Sequence, residues 1–467
     1  MLNIIKQTQK ISLEILSRFP RISALVAGSL AKFYFCKGMT LPALVIPAFG
    51  ILVSVTWNSR RSFSSGFAFG VGYFGSSLYW IAESFKCVGL GDYGYIAVAA
   101  LVLYLSIYPA VVCLLSLKIA KTRIQFMLLF VVFWTLSEYA RGIVFTGFPW
   151  NLVGYATYKI PYFPQIADLL SIYGVSFLYL LICIFLLYRK TIIASTCIFA
   201  TVLLYGYLRI NYGNFTETLN NEYVVRIVQP SISQEDKMDP KKFKENLNKH
   251  LSISDLNNPS PSRKRLIIWP EAAINAPITK QNGILEYIGS FLTDKNTYLI
   301  TGCDIIDNKN NIYNGACVIG NNGKVLQTYS KRHLLPFGEF IPEFLLELGL
   351  KKVTPGITNF SRGNSTRTVQ IEGVDKFDMV ICFEIVFPWE ICDDNSSTWI
   401  LNLTNDTWFG NSDGPTQHLV TTCFRAIEER KPIVRVANNG ISCLIDRYGK
   451  VLQKLDANVI GYIDVIP

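Results

Sequence analysis

The sequence is poor in charge and in histidine, and its cysteines have no paired spacing. Only 17% of its 467 residues are Asp, Glu, Lys or Arg, against 50% hydrophobic, which is not the balance of an ordinary soluble protein. There are three histidines, and eleven cysteines are scattered without a Cys-x-x-Cys pair, so no metal site is expected. The six at 303, 317, 382, 392, 423 and 443 have no spacing that marks a disulfide framework. The net charge of +10 comes without a lysine and arginine stripe interleaved with exposed aromatics, which argues against a nucleic-acid partner. Internal repeats and low-complexity tracts are also missing, and the basic N-terminal stretch has no apolar core ahead of a small-residue cleavage site.

The apolar residues that are present are unevenly placed. Nearly all of the long runs precede Gly213, which divides the chain into an expected membrane domain over 1–213 and a water-soluble domain over 214–467. Candidate spans are 22–36, 41–57, 63–82, 95–117, 124–140, 166–188 and 191–208, about seven helices near the length a bilayer crossing needs. With the N-terminus inside, the inner loops hold eleven lysines and arginines, while the outer side holds Lys32, Lys37, Lys86, Arg141 and Lys159. That bias puts the soluble domain outside, in the periplasm of a bacterial cell whose inner membrane carries the anchor. One outer loop, Phe145-Thr146-Gly147-Phe148-Pro149-Trp150-Asn151, is rich in aromatics and glycine. It reads either as an interfacial belt or as a substrate-facing surface in which Trp150 takes part. Glu138 and Arg141, three apart at a helix end, are expected to pair with each other.

After Tyr223 the pattern changes to alternating strands and helices, which predicts a two-layer α/β domain. Strands are expected over 223–230, 265–269, 298–304, 315–319, 324–329, 399–403, 433–436 and 441–446, and helices over 239–256 and 416–429. The run Met379–Pro388 reads as a further buried strand emerging at a sheet edge. His250 lies in a polar helix and is expected to be solvated, while His418 opens a helix in a packing role.

Three strand ends in this half each present one reactive group: Glu271 after Trp269-Pro270, Lys331 after Tyr329-Ser330, and Cys382. A carboxylate that takes the thiol proton, a thiolate that attacks a carbonyl and an ammonium that stabilises the oxyanion make one coherent machine. Taken singly, each has a plainer reading as a helix cap, a surface charge or a packed thiol. The ordered set resembles the nitrilase superfamily, whose members share a Glu-Lys-Cys triad on an α-β-β-α sandwich. Together with the membrane half, the segments 402–410, 414–418 and 438–442 narrow the resemblance to the bacterial apolipoprotein N-acyltransferase family.

The fold implied is a multispan α-helical membrane domain followed by an α/β nitrilase-like α-β-β-α sandwich. The activity implied is acyl transfer in two half-reactions. A phospholipid donor gives its sn-1 acyl chain to Cys382 as a thioester, and the chain then passes to the N-terminal amine of a diacylglyceryl-cysteine apolipoprotein. By the same resemblance Glu271 is the general base, Lys331 the oxyanion cation and Cys382 the nucleophile, with Glu339 and Glu384 as supporting carboxylates. No metal or organic cofactor is required, the lipid substrates come from the membrane, and a monomer is expected. The apolar stretch over 340–350 is either a membrane-dipping arm or an amphipathic helix packed on the sandwich.

This chain departs from the family pattern in three places. Phe383 stands where tyrosine is common, Met238 where tryptophan is frequent at a substrate gate, and no further apolar span follows the domain. The main alternative is a membrane-tethered nitrilase-fold amidase that gives its acyl group to water. A receptor or transporter would place charged groups inside the spans. Here Glu83, Glu138 and Asp168 lie only near span edges.

Overall fold

The computed structural model describes residues 18–32, 41–59, 61–213, 222–255, 263–341, 359–393 and 396–467. The chain forms two compact units. One comprises Met1–Ala82, Gly91–Gly213 and Asn411–Val420, and the other Glu83–Leu90, Asn214–Gly410 and Thr421–Pro467.

The first unit is helical, with α1 (Pro20–Ala31), α2 (Val45–Ser59), α3 (Ser62–Leu78), α4 (Gly91–Ile119), α5 (Arg123–Ile143), α6 (Ala167–Leu186) and α7 (Ile192–Tyr212). Five stretches among the described residues are long and apolar enough to cross a membrane: Pro42–Ser59, Gly91–Ile119, Arg123–Thr146, Phe163–Leu186 and Ile192–Tyr212. The other two expected spans contain the shorter helices α1 and α3, of 12 and 17 residues.

Glycine sets how closely these helices approach. A Cβ on Gly72 of α3 would lie 2.1 Å from the Leu25 carbonyl oxygen of α1, and one on Gly28 of α1 would lie 2.1 Å from the Phe69 carbonyl oxygen. Small residues are used in this way where apolar helices have no hydrophobic drive to associate. At the end of α5, Glu138 and Arg141 do not pair as expected. Glu138 Oε1 accepts from Trp134 Nε1 and the Val153 amide, while Arg141 donates to the carbonyls of Phe148 and Trp150. Both side chains thus serve to fold the aromatic loop back on the helix.

The second unit carries strands β1 (Tyr223–Gln229), β2 (Lys264–Ile268), β3 (Ile274–Pro277), β4 (Thr297–Ile306), β5 (Ile312–Ile319), β6 (Val325–Ser330), β7 (Thr368–Val369), β8 (Phe377–Ile381), β9 (Trp399–Thr404), β10 (Ile433–Ala437), β11 (Ser442–Ile445), β12 (Val451–Leu455) and β13 (Gly461–Val465). They build two sheets, in the orders β13-β1-β2-β4-β5-β6, with β3 against β4, and β12-β11-β10-β9-β8-β7. The pairs β1/β2, β2/β4, β3/β4, β8/β9 and β9/β10 are parallel, and the other pairs are antiparallel.

The sheets pack face to face. One buried cluster joins Val225, Leu266, Ile300 and Tyr329 of the first sheet to Phe377, Met379, Leu401 and Val434 of the second. On the outer face of the first sheet, Leu247 and Leu251 of α8 (Phe243–Ser254) and Ile288 of α9 (Asn282–Phe291) meet Trp269 and Leu299. Helix α10 (Gly414–Glu429) covers the second sheet through its Thr422 hydroxyl, which accepts from Arg435 of β10, and through buried Cys423, Phe424 and Ile427. The result is the expected α-β-β-α sandwich. Strands covered on both faces read as continuous apolar runs, which is why β8 and β9 are buried along their whole length.

Two further expectations change. His250 is 1% exposed rather than solvated, with its ring against Trp269 and Nδ1 on the Asn246 carbonyl, because its helix face packs on the first sheet. The strand read through Pro388 ends at Ile381, and Cys382–Val386 form a short 3-10 turn.

Candidate active site

The three groups expected to carry the chemistry all leave strand ends of the α/β unit. Glu271 lies three residues past β2, in a turn pressed against β4. A Cβ on Gly302 of β4 would sit 2.5 Å from the Pro270 carbonyl oxygen and the Ala272 nitrogen. Glycine there is what lets the carboxylate turn approach the sheet. Lys331 follows β6 directly, and its amide donates to the Asn314 carbonyl at 2.8 Å. Cys382 follows β8 with φ 50°, a left-handed conformation that is costly for a residue bearing a Cβ. Such strain recurs at functional sites, since the surrounding structure must hold the residue there.

Glu271, Lys331 and Glu339 meet as one buried cluster, with 7%, 2% and 8% relative exposure. Lys331 Nζ lies 2.9 Å from Glu339 Oε1 and 3.4 Å from Glu271 Oε1. Asn314 of β5 bridges the same two oxygens, its Nδ2 donating to Glu339 at 2.6 Å and Glu271 at 3.0 Å. The Leu335 amide donates to Glu339 Oε2 at 2.7 Å. Burial pushes Lys331 down, but the Glu339 and Glu271 charges outweigh it and hold the ammonium well above its ordinary value. At Cys382, burial first and the Glu271 charge second push the thiol up, with Lys331 pulling the other way. Burial and the Glu271 charge thus favour the protonated thiol at Cys382.

Glu384 is fully buried and has a different environment. Its Oε1 accepts from the amides of Arg332 (2.8 Å) and His333 (3.1 Å), its Oε2 from the Ile381 amide (2.7 Å), and both oxygens from the Tyr329 hydroxyl. One carboxylate thus ties the chain just after Lys331 to the residue just before Cys382.

The segments 402–410 and 438–442 form scaffolding behind the cysteine turn. Asp406 and Arg435 make a buried ion pair at 2.7 Å, and a Cβ on Gly440 would lie 2.3 Å from Asp406 Oδ2. Asn438 holds both the amide and the carbonyl of Ile232, and Ser442 bonds Gln229.

The remaining expected residues are placed as follows. Phe383 is 6% exposed and packs edge-on to His333 and Phe387. Met238 ends a five-residue helix, Gln234–Met238, and is half-buried. Trp150 belongs to the helical unit, where it is 3% exposed, donates its indole N–H to Gln417 and lies against Trp80, Phe148 and His418. Most of the expected arm over 340–350 lies outside the described residues.

Two residues were missed by sequence reasoning. Asn314 sits in a strand, where asparagine is disfavoured, and that misfit was the available signal. Lys237, next to Met238, is 8% exposed and donates to the Glu271 carbonyl at 3.0 Å. Nothing in its local pattern marks it.

Comparison with known proteins bears on both units. A family model described as the apolipoprotein N-acyltransferase N-terminal domain matches residues 26–185, and one described as carbon-nitrogen hydrolase matches 224–465. A protein from Rickettsia bellii named apolipoprotein N-acyltransferase is 34% identical over 95% of this chain and 91% of its own length. One of the same name from Rhizobium rhizogenes is 32% identical over 86% and 79%. Among solved structures, an amidase from Nesterenkonia sp. overlaps 53% of this chain and 91% of its own at 15% identity and a TM-score of 0.39, a loose likeness. With sequence matched across both units at this level, the chain belongs to the apolipoprotein N-acyltransferase family.

Proposed function

We propose that this protein moves a fatty acyl group from a phospholipid, through a thioester on Cys382, to the N-terminal amine of a diacylglyceryl-cysteine apolipoprotein. The observation that carries the reading is the buried Lys331 ammonium shared by two carboxylates, in a unit where Cys382 is held in strained backbone. Long apolar helices in the same chain fit substrates that are lipids.

In the first half-reaction the Cys382 thiol gives its proton to Glu271 as sulfur attacks the sn-1 ester carbonyl. Lys331 faces the oxyanion. The ester C–O bond then breaks, the glyceryl oxygen takes the proton from Glu271, and a lysophospholipid leaves. In the second, the acceptor amine attacks the thioester carbonyl and yields a proton to Glu271. The C–S bond breaks, sulfur recovers the proton, and an amide remains. Glu339 and Asn314 hold Lys331 and Glu271 in register, and Glu384 fixes the cysteine turn. The reading includes a membrane domain over 1–213 with about seven spans, a catalytic domain over 214–467 facing the periplasm from the inner membrane, and a monomer. Phe383, Met238 and Trp150 are its proposed substrate contacts.

Intact-mass spectrometry of the full-length protein incubated with a diacyl phospholipid tests this against Cys382→Ala. An acyl mass on the wild type alone, removed by a diacylated lipopeptide that becomes triacylated, is the expected result. An acyl mass lost only to water makes the protein a tethered hydrolase. No adduct on folded protein refutes the assignment of Cys382.

A further inference from the structure

The site as described is short of positive charge. Lys331 is one ammonium between two carboxylates, Glu271 and Glu339, and as the Cys382 proton passes to Glu271 the negative charge moves onto sulfur and then onto the developing oxyanion, away from the position that Lys331 already holds. The other charges near the thiol are already matched. Asp406 is paired with Arg435, and Glu384 lies 3.7 Å from Arg367.

Among the described residues, Lys237 is the remaining cation of this cluster. It reaches the site from the short helix Gln234–Met238, which is fixed at both ends. Gln234 Oε1 accepts from Asn405 Nδ2 and Thr407 Oγ1, each at 2.9 Å, and Asn275 Nδ2 donates to the Lys237 carbonyl at 2.8 Å. The ammonium is buried and donates to a carbonyl oxygen, that of Glu271 at 3.0 Å. Among the described residues no carboxylate forms an ion pair with it. The charges that bear on it are those of Glu271 beyond β2 and Cys382 beyond β8, and its own charge joins burial in keeping His250 of α8 neutral.

We propose that Lys237 is a positioning residue of the acylation step: its ammonium holds the Glu271 turn by its carbonyl and supplies a second positive charge toward the negative charge that passes from Glu271 to the Cys382 sulfur. A buried lysine that, among the described residues, bonds only a neutral carbonyl is costly to keep. It is explained by a negative charge that shifts from Glu271 to the Cys382 sulfur during the reaction. Burial pushes Lys237 down to about 8, against the pull of Glu271 and Cys382, so it is still cationic at neutral pH. The inference builds on the acyltransferase reading for its purpose, while its test does not depend on that reading.

The test is the rate of iodoacetamide alkylation at Cys382, followed from pH 6 to 10 by mass mapping of the cysteine peptide in the full-length protein. Lys237→Met and Lys237→Gln are compared with Lys237→Arg and wild type, with thermal midpoints recorded for each. Loss of the charge is expected to slow the reaction roughly tenfold at neutral pH, with the difference narrowing above about pH 8 as the wild-type ammonium itself deprotonates, and Lys237→Arg is expected to restore most of the neutral-pH rate. Lys237→Gln keeps a donor for the Glu271 carbonyl, so it carries the test if Lys237→Met does not fold. A folded Lys237→Gln protein that alkylates like wild type overturns the inference, as does a folded Lys237→Arg protein no faster than Lys237→Gln. A wild type that forms no acyl adduct refutes the acyltransferase reading and leaves this measurement standing.

Discussion

Glu384 offers the sharpest test of how the site is held. Its two oxygens divide the donors unequally, with the Arg332 and His333 amides on Oε1 and the Ile381 amide on Oε2, while the Tyr329 hydroxyl reaches both. In Glu384→Gln the new amide nitrogen cannot accept, so one side must lose its acceptor. The cheaper loss is the single Ile381 amide, and that residue adjoins Cys382. One buried N–H left without its charged acceptor costs roughly 2 kcal/mol. For a domain of this size that lowers the thermal midpoint by about 4–8 °C. Glu384→Ala orphans every donor at once and is expected to cost about 4 kcal/mol, near the value for breaking a buried charged network. The assay is thermal unfolding in detergent, paired with single-turnover acylation of Cys382. The stability loss is expected in both variants, and Glu384→Gln is also expected to slow acylation at least tenfold, because its damage falls on the cysteine turn. A Glu384→Ala protein with an unchanged midpoint and a wild-type acylation rate would refute the claim that this carboxylate holds the turn.

Asn314→Leu removes the donor shared by Glu271 and Glu339 and is expected to slow acyl-enzyme formation at least tenfold, read by the growth of the acyl mass. His250 is pushed down to about 3 from an ordinary 6.5 by burial, so the unfolded chain takes up a proton that the fold refuses. Its contribution is complete above pH 6.5 and is lost as pH falls toward 3, at about 1.4 kcal/mol per pH unit. His250→Phe, which keeps a ring against Trp269, should flatten the acid limb of a midpoint-versus-pH curve. Gly72→Val would put a Cβ 2.1 Å from the Leu25 carbonyl oxygen, and the protein recovered from membranes as a monodisperse peak should fall severalfold.

The reactive strand ends were legible because each follows a short apolar run closed by a polar residue, and the strands behind them fall close to their expected limits. The turn at Cys382 was not. Phe383, Ile385, Val386 and Phe387 are apolar, and all are buried, so the pattern continues through the residue where the strand stops. Periodicity cannot separate a buried strand from a buried turn of the same composition. The last two strands escaped notice for the opposite reason. Residues of β12 and β13 are largely exposed at sheet edges, where little apolar signal is required. Asn314 and Lys237 are illegible in a stronger sense. Their importance comes from partners 25 to 43 positions away, in the bonds of Asn314 to Glu339 and Glu271 and of Lys237 to Glu271. Only the fold brings those residues together.

The hydrogen bonds also bear on which carboxylate can act as the base. Glu384 has no spare capacity, since both of its oxygens are taken by N–H and O–H donors and neither is open to a thiol proton. Glu339 is also engaged at both oxygens, with Oε1 held by Lys331 and Asn314 and Oε2 by the Leu335 amide. Glu271 differs, because Lys331 and Asn314 both bond its Oε1 and no described donor bonds its Oε2. An oxygen with unused lone pairs, in a carboxylate whose charge bears directly on Cys382, is what proton transfer requires. The raised thiol is consistent with this arrangement. A thiol that stays protonated until the proton can pass to Glu271 as the carbon–sulfur bond forms never has to exist as a free thiolate between two carboxylates, and it is spared side reactions while no acyl donor is bound.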